Sequence, residues 1–214
     1  HCLRYAYPKE NDSAILYTEE ELKSNFPLGY AYLKQCEPAL RDREKGKFNM
    51  DGQWFQYSRK QGINFAEYEK LVAPEISKGG NFSYDYKGEF YSTTKIYGYL
   101  KKKGIAEDYK FWLGLLNSQL FWFFIQNTGY VLRGGYFTFK TDYIQPFPVP
   151  EIIPVDIYEN TIKAVTLILD IKVKDIKNNT SELEKTIDNY IYSLYCLNEN
   201  EIVTIENSNT ELYE

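Results

Sequence analysis

Lys110-Phe-Trp-Leu-Gly-Leu-Leu-Asn-Ser-Gln-Leu-Phe-Trp-Phe-Phe-Ile-Gln-Asn-Thr128 is the most apolar stretch of the 214-residue chain, and its reading decides the fold. At helical spacing, Phe111, Leu115, Ser118 and Trp122 share one face, and Leu116, Leu120 and Phe123 an adjoining one. A helix apolar almost all round belongs inside a fold. Gly114, Asn117, Ser118 and Gln119 make it too polar to span a bilayer. The reading is a buried helix over residues 110–128, with Trp112, Trp122 and Phe123 in the core.

Upstream, residues 54–99 change character to short aromatic and β-branched segments divided by Gly and Asn. Leu71-Val-Ala-Pro-Glu-Ile76 reads as a strand. Residues 81–91 read as a hairpin turning at Tyr86-Lys-Gly88. Further back, Thr18-Glu-Glu-Glu21 is a capping box that opens a helix. Pro27 ends that helix or starts the next. Residues 30–45 read as one helix through Tyr32, Leu33, Cys36 and Leu40, with Pro38 as a kink.

Downstream, residues 129–141 read as β or loop, and Gln145-Pro-Phe-Pro-Val-Pro150 as an extended linker. Two amphipathic helices follow. One carries Ile162, Val165, Ile168, Leu169 and Ile176. The other opens at a second capping box, Ser181-Glu-Leu-Glu184, and carries Leu183, Ile187, Ile191 and Leu194. A polar, frayed end is expected from Asn207. The fold class is therefore α+β: a small, mostly antiparallel β region packed with helices, followed by a C-terminal two-helix hairpin. The expected division is 1–150 for the main domain and 151–214 for the hairpin and tail.

The net charge of −5 hides an uneven distribution. Residues 30–150 carry a net +5 and residues 151–214 a net −8. The basic centre is the candidate nucleic-acid partner surface. Cys2, Cys36 and Cys196 lack the close spacing of a zinc site or disulfide framework, so buried free thiols in a cytoplasmic protein are expected. No secretory leader pattern opens the chain. It begins without Met, inside what reads as a strand or loop, and is expected to be part of a longer protein.

Catalytic patterns are scarce. The chain has a single His, at position 1, which disfavours His-dependent triads and zinc sites. There is no glycine-rich phosphate loop and no nucleophile elbow. The Asn-Pro-Pro-aromatic motif of adenine methyltransferases is missing, as is a glycine motif for S-adenosylmethionine. One loose match remains. Glu75, Asp85 and Lys87 could form an Mg²⁺-dependent nuclease centre, in which carboxylates hold the metal and a lysine lies near the attacking water.

Four segments, in this order, resemble one known family: Trp54-Phe-Gln-Tyr-Ser-Arg-Lys-Gln61, Leu71-Val-Ala-Pro-Glu-Ile-Ser77, Phe111 to Trp122, and Arg133-Gly-Gly-Tyr-Phe-Thr-Phe139 running on to Pro146-Phe-Pro148. Together they resemble the TaqI-like C-terminal specificity domain. That is the target-recognition domain of type IIG restriction-modification enzymes and related adenine-specific DNA methyltransferases. The resemblance extends over roughly residues 5 to 197. It implies a double-stranded DNA partner and an N-terminal methyltransferase domain in the parent chain, with or without endonuclease activity. It also implies no cofactor in this part, S-adenosylmethionine in the parent, and Mg²⁺ where the parent cleaves.

Within that frame Arg59, Lys60 and Gln61 are the first candidates for DNA contact, since Arg forks onto guanine and Gln onto adenine. The plainer alternative is a solvated strand end. Arg133 with Gly134 and Gly135 comes second, because glycines let a backbone approach phosphate or turn tightly. Lys140 is a phosphate candidate, and Thr93, Thr94 and Lys95 are placed to face a groove. Lys101-Lys-Lys103 is read as solvated. Trp54 and Tyr57 are the aromatics least firmly assigned to the core, and so the ones open to base stacking. The C-terminal stripes could cover the β region, the catalytic domain or a second copy. The last of these would give a homodimer through the C-terminal helices.

Overall fold

The computed structural model describes residues 9–10, 13–58, 62–91 and 95–210. They fall into two compact units, one ending at Glu67 and one starting at Tyr68.

The first unit opens with the antiparallel strands β1 (Lys9–Glu10) and β2 (Ser13–Ala14). Thr18 then caps α1 (Glu19–Asn25). Its hydroxyl accepts from the Glu21 amide at 3.2 Å, and the Glu21 carboxylate accepts from the Thr18 amide at 2.8 Å. Pro27 begins α2 (Pro27–Gln35), where its missing N–H is harmless. The single helix expected over 30–45 is two helices. The chain breaks at Cys36, and Pro38 lies in the first turn of α3 (Glu37–Gly46). A proline there cannot extend the preceding ladder and disfavours helical backbone before it.

Leu22, Trp54 and Phe55 form this unit's core. Trp54 is fully buried, so it packs rather than presents a face for stacking. Arg43 donates to the carbonyls of Trp54 and Gln56, both at 2.9 Å, which pins the loop that carries the tryptophan.

In the second unit, β3 (Lys70–Pro74) runs after one residue into β4 (Ile76–Ser77). β3 lies between β5 (Ser83–Asp85) and β6 (Ile96–Tyr99), antiparallel to both. β4 is the edge of a second sheet, ordered β4-β8-β7, with β7 (Val131–Leu132) and β8 (Tyr136–Thr138). The stretch read as one strand therefore changes sheets at Glu75. The Glu75 amide donates to the Lys95 carbonyl at 2.9 Å, and its carbonyl accepts from the Phe139 amide at 2.7 Å.

The hairpin expected over 81–91 is not formed as one. The turn stands at Tyr86–Gly88, but β5 pairs with β3, Lys70 opposite Asp85. The Asp85 carboxylate takes the amides of Glu89 and Phe90 at 2.9 and 3.0 Å, and so diverts the returning chain from the ladder.

The buried apolar segment is likewise two helices, α4 (Tyr109–Leu116) and α5 (Gln119–Thr128). Its break has side-chain causes. Asn117 bonds both backbone groups of Phe82, accepting at 2.8 Å and donating at 3.0 Å. Ser118 caps α5 by accepting from the Phe121 amide at 3.2 Å. Phe111, Leu115, Ser118 and Trp122 are buried as read. Trp112 and Phe123 are only half-buried.

Aromatic rings hold this core together. Phe82 meets Tyr99, Phe121 and Phe139 with centroids 5.3, 5.9 and 6.2 Å away, and Trp122 meets Phe137 edge-on at 5.3 Å. A short helix, α6 (Thr141–Ile144), leads into the proline-rich segment, which is pinned rather than free. Phe147 is buried against Phe121 and Phe124, and the Tyr195 hydroxyl donates to the Pro148 carbonyl at 2.7 Å.

The helices α7 (Val155–Lys174) and α8 (Ser181–Leu194) form the expected hairpin, but the capping box expected at Ser181 is not made: Thr180 is the N-cap, and its hydroxyl and that of Ser181 donate to Glu184 and Asn179 instead. The hairpin's apolar stripe covers the core of this unit through Ala164, Val165, Ile187, Ile191 and Leu194. Gly114 makes the approach of α7 possible, because a Cβ there would stand 2.9 Å from Thr161 and 3.2 Å from Val165. A further helix, α9 (Glu199–Thr210), runs on through Asn207, where the frayed end is expected to begin; residues 211–214 lie outside the described residues. Asn198 accepts from the amides of Asn200 and Glu201, and Glu201 returns the bond, so Asn-x-x-Glu serves as the α9 capping box. Cys36 and Cys196 are free thiols, but Cys36 is only half-buried and Cys196 is exposed, and Cys2 lies outside the described residues. Among the described residues no helix is long and apolar enough to cross a membrane.

Two outcomes follow for stability. Asn117→Ala strands both Phe82 backbone groups and should cost about 1–3 kcal/mol in denaturant unfolding. Asp188 on α8 accepts from the Gln119 amide at 2.8 Å; burial, aided by Glu184 and Glu206, pushes its carboxyl up to about 6. A raised carboxyl gives the folded state extra protons, so this group's contribution is complete below 3.8 and lost as pH rises through about 6. Asp188→Asn keeps the acceptor without the charge. Its melting temperature should exceed the parent's at about pH 8 and converge with it at about pH 3.5.

Candidate nucleic-acid interface

The β4–β8 pair organises the exposed basic residues of the second unit. Its register sets Ile76 opposite Thr138 and Ser77 opposite Phe137. Because the strands are antiparallel, the segment leaving β4 and the segment entering β8 lie at the same end. Those segments are Lys78-Gly79-Gly80 and Arg133-Gly134-Gly135.

Gly134 and Gly135 make the tight β7–β8 connection possible, with φ of +85° and +74°. Side-chain-bearing residues rarely adopt such values. Arg133 leads this turn, exposed, and has no hydrogen bond or ion pair among the described residues. The Lys78 ammonium lies 5.2 Å from the Tyr136 ring centroid, and that ring is 45% exposed.

At the other end of the pair lie Lys95 and Lys140, both exposed. Lys95 reaches the Glu75 carboxylate at 3.4 Å, with its own side chain 75% exposed. Such a pair contributes little and is readily exchanged for another anion. Lys140 follows Phe139, whose amide bonds the Glu75 carbonyl. The two basic ends are separated by three to four strand residues, about 10–14 Å.

Of the residues singled out from sequence, the structure places Arg133, Gly134, Gly135 and Lys140 at the two ends of β8, and brings Lys95, which precedes β6 of the other sheet, to the Glu75 junction at the Lys140 end. Arg59, Lys60, Gln61, Thr93 and Thr94 lie outside the described residues. Lys78 and Tyr136 were missed. Their signal was the repetition of a basic residue followed by two glycines, at 78–80 and again at 133–135.

The nuclease grouping does not assemble. Asp85 stands opposite Lys70, five residues along β3–β4 from Glu75, so the two carboxylates are about 17 Å apart. A single divalent ion binds oxygens at about 2–2.6 Å and cannot bridge that gap. Asp85 is also engaged elsewhere. It forms an ion pair with Lys70 in which both side chains are at most 3% exposed. Burial pushes its carboxyl up, but Lys70 and the Glu89 and Phe90 amides together outweigh this and hold it below the ordinary value. Lys87 lies over the Tyr86 ring, 5.4 Å from its centroid. Among the described residues no three His, Cys, Asp or Glu side chains gather as a metal site would need.

A small α+β scaffold that displays exposed basic side chains at both ends of the β4–β8 pair has the character of a nucleic-acid-binding module, since exposed Lys and Arg can meet phosphates. The family is specific. Residues 30–149 match the TaqI-like C-terminal specificity domain, and the chain belongs to that family of DNA sequence-specificity modules of restriction-modification enzymes. The matched residues include both basic-Gly-Gly turns, and they end before α7. Among curated proteins, none matches the chain.

Lys70→Met leaves the Asp85 charge buried and unpaired, and should cost about 3–5 kcal/mol in equilibrium unfolding. Lys87→Ala removes only an exposed cation and should stay within about 0.5 kcal/mol of the parent.

Proposed function

We propose that the chain reads a short duplex DNA sequence and positions it for an adenine methyltransferase domain lying outside these residues. In this reading residues 1–150 carry recognition, and residues 151–214 brace it from behind. The observation that carries it is Arg133. An unpaired guanidinium sits at the tip of a Gly-Gly hairpin, in a family of specificity modules. A guanidinium offers a bidentate fork to the O6 and N7 of guanine. Lys78, Lys95 and Lys140 are placed to neutralise phosphates on either side. Phosphate contacts set register and base contacts set sequence.

S-adenosylmethionine, and Mg²⁺ where the parent also cleaves, would be held by the other domains, in the cytoplasm. Glu75 and Asp85 take no part in that chemistry. Exposed Val173 and Ile176, at 86% and 78%, favour a second role for the C-terminal helices in association with another copy. Sedimentation of Val173→Lys against the parent tests it, and a shared monomer mass would end that reading.

The main test is selection from a randomised duplex pool, followed by affinity against salt. Arg133→Ala should cost about 1–3 kcal/mol and relax one position of the selected site. Lys140→Ala should weaken all sequences alike and flatten the logarithmic salt slope by about 0.9. If no motif is enriched and Arg133→Ala binds like the parent, readout by the hairpin is wrong.

A further inference from the structure

A second surface of the same unit has the chemistry of an aromatic platform. The turn after β5 exposes Tyr86 and Phe90, each at 63%. Large aromatics are ordinarily turned inward, because they supply most of a fold's burial area. Here the turn is held in place to do the opposite. The Gly88 amide bonds the Asp85 carbonyl at 3.4 Å, and the Asp85 carboxylate binds the Glu89 and Phe90 amides. Asp85 is in turn fixed by the buried Lys70 ammonium. A buried ion pair is a poor source of stability, but it can fix one geometry. The geometry fixed here is a turn with two outward rings.

The rings continue inward as a row. Tyr86 meets Tyr84 with centroids 6.1 Å apart, and Tyr84 meets Tyr109 at 5.8 Å. Ammonium groups flank both ends. Lys87 lies 5.4 Å from the Tyr86 centroid, and Lys101 lies 4.8 Å from that of Tyr109. Lys102 and Lys103 are exposed next to Lys101. Lys101 borders a buried ring and is bonded to the Glu107 carbonyl, so the exposed rings are Tyr86, with Lys87 beside it, and Phe90. They match a nucleic-acid strand with accessible bases, the bases meeting the rings and the phosphates meeting Lys87 and the exposed Lys102 and Lys103. Duplex DNA offers no base faces. The fitting ligand is therefore unpaired: a single strand or a displaced strand.

We propose that the Tyr86–Phe90 turn is a binding site for single-stranded DNA, separate from the β4–β8 ribbon and acting by stacking. Local charge predicts how it behaves. Glu69, bonded to the Tyr84 hydroxyl, and the exposed Glu89 offset part of the lysine charge. Binding here rests on ring faces and depends on salt less steeply than duplex binding by the ribbon. The proposal builds on the DNA reading of the chain but uses different residues, so the two can fail independently.

The test is fluorescence anisotropy of a labelled short oligothymidylate with the full chain, at low and moderate salt. Replacing both rings, Tyr86→Leu with Phe90→Leu, should weaken binding about tenfold or more. Tyr86→Phe should bind like the parent, since the ring remains. Arg133→Ala should leave single-strand binding unchanged while it lowers duplex affinity. Both rings are exposed, so the variants should keep the parent's melting temperature. No oligothymidylate binding by the parent overturns the proposal. So does equal binding by the double-leucine variant, or a loss that follows Arg133→Ala alone. If the double-leucine change instead abolishes association with another domain of the parent enzyme, the rings are a protein dock and the proposal falls.

Discussion

The second unit depends on one peptide group on each side of Glu75. Its amide bonds into the sheet of β3, and its carbonyl bonds toward β8 in the other sheet. Pro74, the residue before it, has no amide to offer, and β5 pairs with β3 only as far as Val72, so Pro74 lies where the strand has a neighbour on one side alone. A single residue therefore hands the chain from one sheet to the other without leaving a backbone group unpaired. Each sheet is three strands of two to five residues, too small to stand alone. Joined at Glu75, they share one aromatic core, and α4, α5 and the α7–α8 hairpin close it. The strand β8, flanked by Arg133-Gly-Gly135 and Lys140, is tied to this join through the bond from the Phe139 amide to the Glu75 carbonyl.

Buried polar groups then decide details that apolar packing leaves open. Asn117 mimics a strand by bonding both backbone groups of Phe82, and in doing so it divides α4 from α5. Asp85 does similar work for the β5 turn, with Lys70 as its counter-ion. Asp188 satisfies the first amide of α5 from a neighbouring helix. Each is a polar side chain that completes a backbone left unpaired by a break in regular structure. Leaving such a group unmade costs more than making it gains, so these contacts specify the fold more than they stabilise it.

The sequence made some of this legible, and the reasons it stopped short are physical. Periodicity found the buried face of residues 111–122 because Phe111, Leu115 and Trp122 follow helical spacing. It could not find the break, since Asn117 and Ser118 fit the same period and only their partner at Phe82 reveals their role. The turn at Tyr86–Gly88 was readable from local chemistry, but the partner of β5 was not, because pairing with β3 is a long-range choice. The helix after Asn198 was missed although its Asn-x-x-Glu box is of the kind recognised at Thr18. Trp54 was left open because a lone aromatic beside a basic run suits either burial or stacking, and only the contacts with Glu19 and Arg43 decide it. For the proposed interface, the uneven charge points to the basic centre. The fact that Lys78 and Arg133 meet at one end of one strand pair follows from antiparallel register, which no local pattern contains.

A net charge of −5 sits oddly with DNA binding until it is placed on the fold. The excess of acid lies in residues 151–214, which carry a net −8, and the apolar stripe of α7 and α8 within them is spent on the core. The lysines and arginine of the ribbon lie on exposed turns. Charges farther apart than about 8–10 Å are largely screened at physiological salt, so the helices need not oppose what the ribbon does locally. The acidic tail does lower non-specific attraction to any polyanion that approaches from its own side. A specificity module benefits from that arrangement. Affinity carried by phosphate contacts alone is shared by every sequence, and discrimination improves when the general attraction is small and confined to the face that carries the reading side chain.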